Sequence, residues 1–355
     1  MENRDSYKVI GVMSGTSLDG LDIVLANFQL CNSLWSFEIE EAKTEVYPET
    51  IVEQLKRGIR LTDSEIKDLD QTLGEFIGEA IKLSMGEKLF QIDFIASHGH
   101  TIFHQPEKGI TLQIGSGEFI HQITQTPVVN DFRSLDVSLG GQGAPLVPVG
   151  DRDLFHEFDF CLNLGGIANI STRQNGDMIA FDICPFNMVL NSLAERRGLS
   201  YDADGRLASQ GQIIPELLQQ LQAIPYNNEL GPKSLGAEDY EKNWKPLVEP
   251  SKSSPEDLMC TYCEYAAIEI AKAGSSKAEG SMLVTGGGAF HQHFIKRLKS
   301  HFKGQVIVPT EELISFKEAL VFAYLGVLRV RNQPNCLASV TGAKRNNSGG
   351  KLIGF

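Results

Sequence analysis

Between Gly11 and Phe28 the sequence runs GVMSGTSLDGLDIVLANF, which places Gly15, Thr16, Ser17, Asp19, Gly20 and Asp22 between two apolar, strand-like runs. Glycine lets several backbone N–H groups converge on an anion with no Cβ in the way. Hydroxyls add donors, and a carboxylate can hold Mg²⁺ through water, so the stretch suits a nucleotide phosphate and its metal, with Asp19 as the candidate metal ligand. The same composition also serves an ordinary hairpin turn, and the terminal Gly-Lys-Ser/Thr of a Walker loop is absent. A second turn, NLGGIAN, offers Gly165, Gly166 and Asn169. A third, VTGGGAFH, offers Gly286, Gly287 and Gly288 between a strand and a helix, where a nucleotide can lie against bare backbone near a helix N-terminus. Each turn alone is commonplace; three of them at strand ends point together to a bound nucleotide.

Other residues have two readings. Asp182, in MIAFDICPFN, ends an expected strand, where a carboxylate is either a general base or a turn former. SHGHTIFH holds His98, His100 and His104; with no HExxH pattern beside them, hydrogen bonding or substrate contact, His98 foremost, is favoured over a metal. Arg133, in VVNDFRSLD, either forks onto a substrate carboxylate or pairs with Asp131 or Asp136, and the ion pair is the plainer expectation. Cys260 and Cys263 form a CxxC inside a helical stretch with no second pair, which reads as core packing.

The elements that must position these residues alternate between strand and helix. YKVIGV, LDIVLANF, IDFIASHG and TPVVNDF read as strands. LTDSEIKDLDQTLGEFIGEAIKLSM reads as a helix with Ile66, Leu69, Leu73, Phe76, Ile77, Ala80 and Ile81 on one face and Thr62 or Asp63 at its cap. SMLVTGGGAF leads from strand to helix, QVIVPT is a strand, and SFKEALVFAYLGVLRV a buried helix. The second strand–turn–strand repeats the first, which suggests an internal duplication. The tail KRNNSGGKLIGF reads as polar and partly mobile. A chain of 355 residues is long for one core and fits two domains.

Composition narrows the partners. With 32 basic against 45 acidic residues, net −13, the chain lacks the basic face that nucleic acid or an anionic membrane needs. It shows neither a signal peptide nor a run of about 18 apolar residues to span a bilayer. Six scattered cysteines suit reduced thiols, and the expected location is the cytoplasm.

The segments GVMSGTSLDGLDIVLA, HGHTIFHQP, LQIGSG, VVNDFRSLDVSLGGQGAPLVP, LNLGGIANIS, VTGGG, EALVFAYL and SVTGA together resemble the bacterial anhydro-N-acetylmuramic acid kinases over nearly the whole length. That resemblance implies an α/β, two-domain actin-like ATPase (ribonuclease H-like) fold, each domain a mixed sheet flanked by helices, with a nucleotide cleft between them. Domain I is expected at 1–131 plus 315–355 and domain II at 132–314. The resemblance makes Gly15 to Asp22 the first phosphate loop, NLGGIAN the second and Gly286 to Gly288 the adenosine-side turn. It makes Asp182 the base and gives the sugar acid to Arg133 and Glu318. The implied reaction converts 1,6-anhydro-N-acetylmuramic acid, ATP and water to the sugar 6-phosphate and ADP, with Mg²⁺, in recycling of cell-wall fragments. Alternatives are a kinase of the same fold for another sugar, or an ATP-binding protein without catalysis. The implied partner is a small amino sugar, and a homodimer is left open.

The sequence departs from the family pattern near the base. Where the family reads Asp-Thr-Gly-Pro-Gly-Asn, this chain has Asp182-Ile183-Cys184-Pro185-Phe186-Asn187. Asn191 stands at a family Asp, His100 at a usual Gln, His291 at a usual Asn, and Leu235 and Ala237 at a usual Thr and Arg. If either family glycine serves a left-handed φ or a close ligand approach, Cys184 or Phe186 would distort that position or block it.

Overall fold

The computed structural model describes residues 4–15, 18–229, 232–249, 251–277 and 279–355. Contacts divide the chain into two units, Met1–Leu154 with Phe316–Phe355, and Phe155–Ser315. This division falls after Leu154 instead of after residue 131. The intervening segment belongs with the first unit because Arg133 bonds His98, Phe132 packs on Phe322, and Lys317 pairs with Asp151 at 2.6 Å.

The first unit carries a six-stranded sheet. Its strands are β1 (Ser6–Ser14), β2 (Leu21–Cys31), β3 (Leu34–Glu45), β4 (Phe94–Ser97), β7 (Val128–Asn130) and β13 (Lys351–Ile353), ordered β3-β2-β1-β4-β7-β13. β1, β2 and β3 form an antiparallel meander, β4 and β7 continue parallel to β1, and β13 closes antiparallel. A small hairpin of β5 (His100–Gln105) and β6 (Ile110–Ile114) stands apart. The second unit repeats the plan with β8 (Phe160–Leu164), β9 (Ile167–Gln174), β10 (Asp177–Pro185), β11 (Ser281–Thr285) and β12 (Gln305–Ile307), ordered β10-β9-β8-β11-β12. Again a three-strand meander is followed by two parallel strands. Two sheets with the same unusual order, each opened by a glycine-edged hairpin, are the duplication that the repeated turns suggest, in a mixed α/β fold.

The helices follow from apolar spacing. Helix α1 (Asp63–Met85) buries Ile66, Leu69, Leu73, Ile77, Ala80 and Ile81 against the first sheet, and Thr62 with Glu65 forms a capping box at its start. The second unit adds α2 (Asn187–Glu195), α3 (Pro255–Ala273) and α4 (Gln292–His301). Helix α5 (Glu311–Val330) lies close on the first sheet. A Cβ at Gly11 would collide with the Ala319 carbonyl, and one at Gly326 would come 2.8 Å from Ala96 Cβ. That intimacy fixes Glu318, one residue before Ala319, relative to β1.

The tail is not loose. β13 pairs with β7, Asn335 donates to the Gly349 carbonyl and accepts its amide, and Asn347 donates to Asp136 at 2.7 Å. Backbone bonding and a buried carboxylate outweigh the polar composition that suggested mobility. Among the described residues no helix is long and apolar enough to cross a membrane.

Candidate active site

In the first unit the β1–β2 turn begins at Ser14, paired with Leu21. Thr16 and Ser17 lie outside the described residues. Of the others, Leu18 takes φ +58° and donates to the Gly15 carbonyl at 3.3 Å, Asp19 is exposed, and Gly20 presses against Thr44 so closely that no Cβ fits. Asp22 accepts from the Thr44 hydroxyl at 2.6 Å. Burial raises its carboxyl above the usual range, the Thr44 bond opposes this, and the charge on Asp19 adds to it. Asp22 with its neighbour Asp19 offers the hard oxygen donors that suit a divalent cation.

The loop ends after β4 and β7 gather the next group. Arg133 donates from Nε to His98 Nε2 at 3.0 Å and from Nη1 to the Gly143 carbonyl at 2.7 Å. His98 Nδ1 bonds the Gly99 carbonyl at 2.9 Å, so the ring carries its proton on Nδ1 and accepts from the arginine. Burial and the adjacent guanidinium hold His98 far below its ordinary range, hence neutral. Phe322 supports both groups, with ring centroids 4.5 Å from His98 and the guanidinium 5.8 Å away. The expected ion pair with Asp131 or Asp136 does not form. Asp131 turns to Lys351 at 3.1 Å. Asp136, fully buried, accepts from the Gly143 amide at 2.8 Å, Thr341 and Cys336 at 3.0 Å and Asn347 at 2.7 Å.

Among the described residues the guanidinium has no carboxylate within ion-pair distance, although burial lowers its pKa and Glu318 pulls the other way. Glu318 keeps solvent access. Its surroundings push its carboxyl up against the pull of Arg133, with Asp22 adding to the rise. Thus Asp22, His98, Arg133 and Glu318 form one electrostatic neighbourhood in this unit. Among the described residues no group of three or more metal-ligating side chains occurs.

In the second unit the β8–β9 hairpin turns through Gly165 and Gly166, with Leu164 opposite Ala168. Their carbonyls take the amides that open α2: Asn187 N to Gly165 O at 3.1 Å, Phe186 N to Gly166 O at 2.7 Å. Neither glycine has a left-handed φ, and a Cβ would meet nothing nearer than 3.5 Å at Gly165 or 3.3 Å, the flexible Met188, at Gly166. Gly287 is equally open, its nearest neighbour Asn187 Nδ2 at 3.8 Å. The surrounding protein makes no strong steric demand for glycine at these three positions. Gly286 and Gly288 differ. Gly286 has φ +80° with Leu164 backbone 2.9 Å from a Cβ, and Gly288 would strike Phe186 at 2.5 Å, so both answer to the fold. We expect Gly166→Ala to leave the thermal midpoint unchanged or slightly raised while weakening ATP about tenfold. Gly286→Ala is expected to cost about 2–3 kcal/mol of stability. Thermal denaturation beside ATP-dependence kinetics checks the pair.

Asp182 lies opposite Asn169 on the neighbouring strand. Its Oδ2 accepts the Leu235 amide at 2.8 Å, its own amide donates to the Lys233 carbonyl at 2.9 Å, and its carbonyl accepts from the Tyr226 hydroxyl at 2.8 Å. Among the described residues no donor takes Oδ1. Burial raises the carboxyl above the usual range and the Leu235 amide partly offsets it.

The substitutions beside it do not crowd it. A β-bulge between Asp182 and Cys184 breaks the two-residue alternation that would put residue 184 on the face of residue 182. Ile183, Cys184 and Phe186 all enter the core of the second unit, where Phe186 meets Phe294 edge-on at 4.6 Å. Phe186 has φ −127°, outside the left-handed region that favours glycine.

His291 likewise has a structural post. Its Nδ1 accepts the Phe294 amide at 3.1 Å, capping α4, and its Nε2 faces Asp202 at 3.4 Å. Cys263 and Cys260 approach His291 and His293 at 4.0 Å, yet a ring whose Nδ1 accepts and whose Nε2 donates cannot ligate a metal, and both thiols are raised by burial.

Two groupings escape a sequence reading: the Asp136 hub, whose partners lie up to 211 residues away, and a chain running from Tyr47 through Ser14 to His100. The only sequence signal for the first is the glycine-dense LGGQGAP stretch that the Asp136 carboxylate crowds at Gly141.

The family model for anhydro-N-acetylmuramic acid kinases matches residues 7–354. The chain belongs to this family. It is 36% identical to an anhydro-N-acetylmuramic acid kinase of Vibrio cholerae, covering 97% of each chain, and 34% identical to one of Acinetobacter baylyi, covering 94% of this chain and 96% of that one. Among solved structures, component A of the Acidaminococcus fermentans (R)-2-hydroxyglutaryl-CoA dehydratase superposes with a TM-score of 0.46 at 12% identity, covering 90% of this chain and 99% of that one.

Proposed function

We propose that this chain opens 1,6-anhydro-N-acetylmuramic acid with water and phosphorylates the released O6 from ATP. The observation that carries the reading is Asp182: a carboxylate raised above its usual range, one oxygen fixed by a backbone amide and the other open. Oδ1 takes the proton of a water that attacks the anomeric carbon. The C1–O6 bond breaks as the new C1–O bond forms, and O6 attacks the γ-phosphorus while ADP leaves. A base fixed by main chain loses little freedom on reaching the transition state.

The other proposed roles rest on family membership and, for the described residues, on their surroundings. Gly165, Gly166 and Asn169 in one turn, and Gly15, Thr16, Ser17 and Gly20 in the other, approach the phosphates. Gly286 to Gly288 form the adenosine side, where Gly287 offers an open backbone. Arg133, oriented by neutral His98 and the Gly143 carbonyl, meets the carboxylate of the sugar acid, and Glu318, raised beside it, offers a hydrogen bond to a sugar hydroxyl or amide. Asp19 with Asp22 would hold Mg²⁺, which when bound offsets charge on the transferring phosphoryl group. Removing Mg²⁺ with a chelator is expected to stop turnover while leaving sugar-acid binding intact, measured by ADP release and calorimetry.

The direct test is turnover of the anhydro sugar by the native chain with Mg²⁺·ATP, followed by ADP release and mass of the sugar product. A product heavier by one water and one phosphoryl group is expected. Failure to form it overturns the reading, and ADP release with a different sugar would redirect it to another acceptor.

A further inference from the structure

His100 is 4% exposed, and its ring has one nitrogen that the protein satisfies and one that it does not. The Tyr47 hydroxyl donates to Ser14 Oγ at 2.6 Å, and Ser14 lies 2.8 Å from His100 Nδ1. Burial pushes the Tyr47 phenol up to about 12, with Asp22 and Asp19 also raising it against the Ser14 bond, so it stays protonated. The tyrosine therefore supplies the hydrogen to Ser14, and Ser14 passes its own to Nδ1. Among the described residues Ser14 Oγ has no other acceptor for its hydrogen, which favours the tautomer in which Nδ1 accepts and Nε2 bears the proton. Burial lowers the pKa of the ring, which keeps it neutral. Among the described residues Nε2–H has no acceptor. That donor is not among the side-chain atoms sealed from solvent without a partner, so it is free to meet water or an incoming ligand.

The position says which ligand. Ser14 ends β1 and His100 follows His98 and Gly99 at the end of the parallel strand β4, the strand end at which open α/β sheets hold ligands. The charge-bearing forms of His98 and His100 are close enough to act on each other, and His98 orients Arg133. We propose that His100 donates from Nε2 to an acceptor oxygen of the sugar acid, with Ser14 and Tyr47 as positioning residues that hold the ring in the donating tautomer. This rests on the kinase reading. The residue is a specificity determinant: a sugar offering only a methyl group at this point leaves the donor unsatisfied.

The test uses the full chain labelled with ¹⁵N-histidine, together with three variants. The wild-type spectrum is expected to show His100 as the Nε2–H tautomer, with that proton shifting when the sugar acid is added without ATP. His100→Ala should raise KM for the sugar acid about tenfold, the order expected of one neutral hydrogen bond, and leave KM for ATP unchanged. His100→Gln, which keeps a donor, should recover most of that loss, and Tyr47→Phe should populate the other tautomer. An Nδ1–H ring in the wild type, an unmoved Nε2–H signal, or an effect on ATP instead of the sugar overturns the proposal. Normal turnover with an unmoved signal overturns it alone. Absent turnover with a shifted signal overturns the kinase reading alone.

Discussion

Asp182→Asn is expected to reduce turnover of the anhydro sugar about 10³-fold while leaving the fold and nucleotide binding in place. The amide keeps an oxygen for the Leu235 N–H, which the carboxylate accepts at 2.8 Å, and the backbone bonds to Lys233 and Tyr226 do not involve the side chain. What disappears is the basic lone pair on Oδ1, and general-base catalysis contributes roughly 10²–10⁴-fold. Because burial holds the acid above the ordinary carboxylate range, the acid limb of kcat/KM in the wild type should fall at higher pH than an unperturbed aspartate, near 3.9, would give. The sign is fixed: the base works deprotonated, so activity rises with pH through the raised value. Single-turnover kinetics and a pH profile of both proteins, with circular dichroism as the check on folding, measure this. An Asn variant within tenfold of wild type would remove Asp182 from the chemistry.

The glycine-edged hairpins, the amphipathic α1 helix and the alternation of strands and helices were legible in the sequence because each is written in local residue types. Gly/Ser/Asp clusters mark turns, and spacing marks a face. The surroundings of the base were not legible. Strand alternation alone puts Cys184 on the face of Asp182 and makes Phe186 an intruder in the sugar site. A single β-bulge reverses this and sends both side chains into the core. Bulges depend on the facing strand, here Ala168 and Asn169, and leave no mark in the strand that carries them. The polar tail misled for a similar reason. Its composition suggests mobility, but Asn347 closes a hydrogen-bond ring on Asp136, and that partner is remote in sequence.

Asp136 also explains why Arg133 took a partner that residue types did not predict. A carboxylate three positions along was the obvious choice, but it is occupied four times over by Gly143, Cys336, Thr341 and Asn347. The same contact that draws the Gly143 amide to Asp136 presents the Gly143 carbonyl to the guanidinium. The carboxylate thus aims the arginine through one peptide unit and leaves its charge uncancelled.

That uncancelled charge sets the second large effect. Arg133→Met is expected to weaken the sugar acid about 10²-fold and leave the thermal midpoint nearly unchanged. A guanidinium holding a structural ion pair would behave in the opposite way, since removing one partner strands a buried charge and destabilises by roughly 3–5 kcal/mol. Here no carboxylate within ion-pair distance is stranded. The variant loses two hydrogen bonds, to His98 and Gly143, against which stands relief from burying a lone cation. The decisive comparison is between the sugar acid and its methyl ester. Wild type should prefer the acid by about two orders of magnitude in kcat/KM, as charge-assisted bonds to a carboxylate are the strong ones. In Arg133→Met the acid and the ester should be nearly equal. Arg133→Lys keeps the charge without the planar fork and cannot reach His98, Gly143 and the ligand at once, so it should retain the preference for the acid at a raised KM. If the acid-over-ester preference of Arg133→Met matched that of wild type, the carboxylate would have to bind elsewhere, and Arg133 would be a scaffold for His98 instead of a hand for the substrate.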